Sequence, residues 1–324
     1  MGGANGESDD YSPSAEGYAF DPAAGSWTSL PPAPIPGKYA LATWAGTEVI
    51  FLGVGTDRTA WEAEAFDPAT RTWRLLPTPP IAPRTGEVVQ WTGSEVIVWG
   101  GGDRGEASNM GGAAYDPSTD TWRQIADAPF GLNQADSMWT GTEMQVFGAL
   151  LDQRNIADTK HSVGESYDPS TDSWQEFAPS TLSPQATAAV WLDSRMVAFD
   201  YGWKAASYDP AKGSWDRLGN LDFQSGECYP DGAVVGAEVF AFGCGEAATL
   251  RPGEQTWTPI SGGLTDATVE ANGSSYQLWR FATLVPAGDV LFIDAEGLTV
   301  DQKGVPCYGC EGSPTSLWAY RPAS

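Results

Sequence analysis

The chain has 324 residues, among them 38 Gly, 24 Pro and 15 Trp, and 41% of it is hydrophobic. So many turn formers among so much aromatic core material exclude a helical bundle and a disordered chain. The 42 acids against 17 bases give a formal net charge of −25, which repels phosphate backbones and anionic headgroups and argues against nucleic-acid or membrane-surface partners.

No apolar run reaches the roughly 18 residues needed to cross a bilayer, so membrane insertion is not expected. Residues 1–16 open with Met1-Gly2-Gly3-Ala4-Asn5-Gly6-Glu7-Ser8-Asp9-Asp10, too polar to bury anything, and read as a flexible acidic tether. The stretch resembles the segment just after the lipid-bearing cysteine of bacterial lipoproteins. That implies an extracellular or cell-surface location with a lipid anchor upstream; an ordinary disordered terminus fits the same residues.

From residue 17 onward the sequence repeats. AFDPAAGSW, AFDPATRTW, AYDPSTDTW, SYDPSTDSW, SYDPAKGSW and TLRPGEQTW end on Trp27, Trp73, Trp122, Trp174, Trp215 and Trp257, at steps of 46, 49, 52, 41 and 42 residues. Each runs an aromatic strand into Asp-Pro or Arg-Pro, a small polar turn and a Trp-bearing strand, which is a hairpin signal because Pro presets the turn and Asp bonds the backbone beyond it. Between consecutive copies lies a second hairpin, as in LATWAGTEVIFLG, VVQWTGSEVIVWG and TLVPAGDVLFID. Two hairpins per period give four strands.

A four-stranded sheet recurring every 40 to 50 residues predicts a propeller, whose radial closure protects sheet edges. Trp99-Gly100-Gly101-Gly102 followed by Tyr115 and Trp122 resembles a kelch repeat, and the resemblance extends over roughly residues 17 to 323. It implies membership of the galactose oxidase/kelch-like superfamily. Six inner hairpins predict six blades in one domain, 17–324, with the ring closed by strands from the two termini; seven blades is the alternative. Trp318-Ala319-Tyr320-Arg321-Pro322 reads as half of an outer hairpin that the Trp27 strand completes, with completion by the whole N-terminal hairpin as the alternative.

His161 is the one histidine, which excludes the copper site of the galactose oxidase branch. Neither a metal site nor a cofactor is expected, since nucleotide-binding glycine fingerprints are missing too. Four cysteines suggest two disulfides and an oxidising compartment. Cys228 and Cys244 stand eight residues either side of Gly236, opposite one another if that glycine centres the hairpin; Cys307 and Cys310 form a local CxxC staple.

Function is expected where blades differ. Hairpin turns are short and alike, whereas the connections between hairpins vary from a few residues to about twenty and share one face, around the mouth of the axial channel. Aligning the inner strands on their turns places Lys38, Thr85, Asn133, Gln185, Cys228 and Trp279 in one row, and Tyr39, Gly86, Gln134, Ala186, Tyr229 and Arg280 in the next. Lys38, Arg84, Asn133, Gln185, Tyr229, Trp279 and Arg280 are the candidate ligand-binding set. Arg280 would offset the long-range repulsion of an anionic ligand.

Two functions fit these residues. The first is a secreted or surface-tethered monomeric propeller that binds a small polar molecule, glycan or protein on its variable-loop face. The alternative is a carbohydrate-active enzyme, of the epimerase or lyase kind the resemblance admits, using Glu87 or Glu227 as acid or base with Arg280 or Lys38 stabilising an anion. No triad or metal cluster decides between them.

Overall fold

The computed structural model describes residues 4–5, 12–36, 41–54, 59–102, 109–150, 162–183, 187–223, 229–271, 274–300, 306–308 and 313–322. Among them there is no α-helix, and no helix long and apolar enough to cross a membrane. Six four-stranded antiparallel sheets follow one another along the chain. Blade one is Leu41–Trp44, Val49–Val54, Trp61–Asp67 and Thr72–Leu75. Blade two is Glu87–Trp91, Val96–Gly100, Gly112–Asp116 and Thr121–Ile125. Blade three is Leu132–Trp139, Met144–Leu150, Val163–Asp168 and Ser173–Phe177. Blade four is Thr187–Leu192, Arg195–Asp200, Ala205–Asp209 and Ser214–Arg217. Blade five is Asp231–Val235, Glu238–Gly243, Glu246–Leu250 and Thr258–Ile260. In blade six the long strand Val290–Val300 pairs with Trp279–Ala287 on one edge, with Thr315–Tyr320 on the other, and with Pro306–Tyr308 at its far end.

The first strands of successive blades pack on one another from blade one through to blade six, so they line the axis. Each interface is an apolar core shared by two sheets. Ile50 and Leu52 meet Val96, Val98 and Tyr115; Ile97 and Trp99 meet Met144, Val146 and Tyr167. Phe147 meets Met196 and Tyr208, Phe199 meets Val239 and Leu250, and Phe240 meets Leu291 and Ile293. These are five interfaces. A sheet apolar on both faces is stable only when both are covered, which is why the repeat must stack.

The repeated tryptophans tie the blades together at the rim. Trp73, Trp122, Trp174 and Trp215 donate their indole N–H to the backbone carbonyls of Pro31, Pro77, Ala126 and Ala178, in the connections entering their blades. Each also lies about 5 Å from the aromatic of its own hairpin, Phe66, Tyr115, Tyr167 or Tyr208. On the face bearing the short turns, a second repeated device crosses each interface. Arg74 bonds Glu48 of its own blade and Tyr115 and Asp120 of the next; Arg123 does the same with Glu95, Tyr167 and the Asp172 carboxylate. In blade five Arg251 and the Tyr320 hydroxyl converge on Glu238. The double glycine is explained at Gly101, whose φ of +75° and 2.8 Å approach of a Cβ to the Glu87 backbone N leave room for no side chain.

Closure differs from expectation. The N-terminal hairpin, Tyr18–Asp21 with Ser26–Ser29, is a separate two-stranded sheet, and Thr315–Tyr320 pairs only with the strand inside it. The hairpin satisfies the Trp27 strand with Tyr18–Asp21, so it is not left to complete blade six. It bridges the two ends by packing: Phe20 sets its ring edge-on to Phe292 of blade six at 5.8 Å, and Ser29 and Pro31 accept bonds from Arg71 and Trp73 of blade one.

The fifth inner hairpin also turns differently. Val235 pairs with Glu238, so the turn centres between Gly236 and Ala237, and position 229 rather than Cys228 falls opposite Cys244. Cys244 has left the strand with φ +54° and is disulfide-bonded. Cys228 and Cys310, and the side chain of Cys307, lie outside the described residues.

Two glutamates at the same repeat position, two residues before the hairpin aromatic, face the preceding connection. Glu64 accepts a bond from the Ile35 amide. Glu165 is fully buried, and neither carboxylate oxygen gains a hydrogen bond of normal geometry. Burial pushes its pKa from 4.5 up to about 8, with the Phe130 amide opposing and the Glu176 charge adding. Between those two values the folded protein holds a proton that the unfolded chain has lost, so stability falls as pH rises through the window. Glu165→Gln removes this dependence. Urea unfolding is expected to show the variant gaining on the parent by about 1.4 kcal/mol per pH unit between pH 5 and pH 8, with the smallest difference at pH 5.

Candidate functional site

The long connections put a mixed set of side chains at one mouth of the axis. Of the expected set, Lys38, Gln185 and Glu227 lie outside the described residues, as do the side chains of Asn133 and Arg280; His161 does too. The rest are placed. Arg84 is buried, donates to the Gly111 carbonyl and leaves its Nε without a partner; burial pulls its pKa down, against the charges of Glu87 and Asp127. It ties one connection to another and presents no surface cation. Glu87 is buried, one carboxylate oxygen lacks a partner, and desolvation raises its pKa.

Trp279 belongs to the core between blades five and six, 6.4 Å from the Trp318 ring. A register shift between Trp279 and Phe281 makes Arg280 the extra residue of a bulge, so Trp279 pairs with Gly297 and stands level with Thr85. Bulges re-aim side chains in this way. Trp61 and Trp203 are buried as well: Trp61 donates to the Ile81 carbonyl, and Trp203 packs on Phe223 at 5.0 Å.

What the structure brings together instead begins one step deeper. The ladders align Leu41, Val88, Asp136, Ala188, Asp231 and Thr283 as equivalent positions of the six innermost strands. Two carboxylates stand where other blades carry apolar or small side chains. Both are half-buried. Asp136 of blade three accepts the amide of Ala189 in blade four at 2.8 Å, and Asp231 of blade five accepts its neighbour Gly232 at 2.7 Å. Desolvation raises both. Asp136 reaches about 7, the Ala189 amide opposing and the charge of Asp231 adding; Asp231 rises with the amides of Gly232 and Leu284 opposing. Ala188 and Ala189 on the intervening strand keep the wall between them shallow.

Above Asp231 sits Tyr229, 63% exposed, with its ring 6.4 Å from that of Tyr201. Tyr201 is held by a rigid loop. The buried Asp200 accepts the amides of Gly202 and Lys204 on one oxygen and that of Ser183 on the other, and Trp203 turns with φ +61° to drop its ring into the core. The arrangement is an aromatic lip over a channel wall bearing two carboxylates, one of them ionising near neutrality. Such a site can stack a ring, accept hydrogen bonds from hydroxyl or amino groups, and donate or take a proton.

Sequence reasoning named Tyr229 and missed Asp136, Asp231 and Tyr201. The signal was there: an Asp inside an otherwise apolar inner strand, in Ala135-Asp136-Ser137-Met138-Trp139 and Asp231-Gly232-Ala233-Val234.

The coupling is open to direct measurement. Carboxyl-carbon NMR titration is expected to find Asp136 ionising near 7 in the parent protein, and lower in Asp231→Asn, which removes a like charge. Desolvation, the larger cause, stays, so the value in the variant should remain above the ordinary 3.8.

No family model and no curated protein matches the chain. Among solved structures it is similar to one described as "Structure of YjhT", over 86% of this chain and 99% of that one, with a TM-score of 0.56 and 16% sequence identity. At that identity the likeness speaks for fold alone, and with the six sheets described above it identifies the chain as a six-bladed β-propeller.

Proposed function

We propose that the protein is a kelch-like binding propeller that takes a small polar, hydroxyl- or amino-bearing ligand, such as a glycan terminus, at the loop-face mouth of its channel. The observation that carries this is the stacking of two features on blades three to five: Tyr229 and Tyr201 at the lip, Asp136 and Asp231 on the wall. Stacking surface over hydrogen-bond acceptors is how polar rings are held in concave sites. A calorimetric panel of neutral, amino and acidic sugars tests it. Neutral or amino sugars are expected to bind, and Tyr229→Ala and Asp231→Asn are each expected to weaken binding by about 1 to 3 kcal/mol. Unchanged affinity in both variants overturns the reading, and tightest binding by acidic sugars moves the weight to Lys38 and Arg280.

A second reading, catalysis, is favoured by one feature: Asp136 titrates near the pH at which a general acid or base works best. If a sugar of the panel is transformed, the rate should show a limb near pH 7 that disappears in Asp136→Asn.

We place the protein outside the cytoplasm, secreted or tethered to a surface. The support is the disulfide at Cys244. Peptide mapping without reduction is expected to recover Cys244 joined to Cys228 and Cys307 joined to Cys310. Reduction should then lower the melting temperature, because the first bridge closes a loop of about 17 residues and such closure is worth about 3 kcal/mol.

A further inference from the structure

Five interfaces around the ring hold a closed apolar core; among the described residues the sixth, between blade six and blade one, does not. Among the described residues the innermost strands of those two blades do not pack on one another to the extent that every other neighbouring pair does. On blade six, Leu291, Ile293 and Ala295 bury themselves against blade five, which turns the alternate residues toward the seam. There the cross-strand row Thr283, Asp294, Leu317 stands exposed, beside Val285 at 49%. Facing it on blade one, Trp44 is 50% exposed. The N-terminal hairpin covers only the rim of the seam, and its own Tyr18 and Trp27 are 57% and 58% exposed. In blades one to five each third strand is paired on its inner edge; among the described residues Tyr18–Asp21 is paired only outward, with Ser26–Ser29. An uncovered sheet face, part apolar and part acidic, and an open strand edge therefore meet at one place.

We propose that this seam receives an extended segment of a partner protein, apolar on one side and bearing lysine or arginine, which adds as a strand to the inner edge of Tyr18–Asp21. Unpaired edges are templates for strand addition, with side-chain pockets supplying selectivity. Charge chooses the occupant. Asp294 and Glu296 sit on the same face of blade six as Phe292, and among the described residues neither makes an ion pair. The whole chain carries −25, so a cationic segment is drawn in and a second copy of this chain is repelled. The chain's own residues 1–16 are rich in Gly, Ser and acids and bring neither cations nor an apolar row.

The test uses the full chain and a blocked ten-residue peptide alternating valine and lysine, with a shuffled peptide of the same composition as control. Tryptophan fluorescence at 0.15 M salt reads Trp27 and Trp44. Saturable binding of the alternating peptide is expected, weakened at least tenfold by Asp294→Lys and by Val285→Glu, and unchanged within twofold by Asp168→Lys on the short-turn face. Leu317→Lys replaces any seam variant that fails to melt cooperatively. Five results overturn the proposal: no binding; equal binding of the shuffled peptide; equal loss in Asp168→Lys; a dimer by light scattering that Val285→Glu abolishes, which assigns the seam to a second copy; and binding seen only after removal of residues 1–13, which assigns it to the chain's own terminus.

Discussion

Every sheet from blade one to blade five is apolar on both faces, and the rest of the architecture comes from the need to cover them. One sheet alone would expose Ile50 and Leu52, or Phe240 and Phe242, and gain nothing from folding; beside a neighbour these residues are almost wholly removed from water. The rim tryptophans and the arginine bridges then fix the angle at which neighbours meet. Where the covering runs out, between the last blade and the first, the same residue types that make cores elsewhere become surface. The exposed aromatic rings of Trp27 and Trp44 are the same repeat element as the half-buried Trp73 and Trp91, set at the position where the stack ends.

That constraint also sorts what could be read from the chain. Strand pairs were legible because they are local: Asp-Pro turns and Trp spacing write each hairpin within ten residues. The blade count was legible because it is a count. Register was not, since a bulge adds one residue without a mark in composition, and the slip ahead of Asp136 sets Asn133 level with Gly86 instead of Thr85 in the rows at the channel mouth. Closure failed for a similar reason. Nothing in Tyr320-Arg321-Pro322 or in the Trp27 strand states whether they will pair with each other or with nearer partners, and a contiguous hairpin forms at lower entropic cost than a ladder between chain ends.

At the candidate site the physical surprise lies in what the channel does to acids. Asp136, Asp231 and Glu87 sit in a protein already short of cations, yet burial and proximity leave them less ionised than their kind elsewhere, so the mouth is less negative near neutrality than its composition implies. A ligand with hydroxyl groups meets acceptors there, and one partly protonated group that donates. Arg84, which composition marks as the local cation, is engaged with a backbone carbonyl inside the wall.

The buried carboxyl groups have a consequence for the energetics of the whole chain. Glu165 and Asp136 both hold protons at pH values where the unfolded polypeptide has released them. Folding near pH 6 is then a proton-consuming reaction, and the protons come from the medium. The heat measured on unfolding therefore includes the heat of protonating whatever buffer is present, so the apparent enthalpy will differ between phosphate and an amine buffer though the transition itself is the same. A protein whose formula reads as a strong polyanion behaves, in its fold, as a weak base.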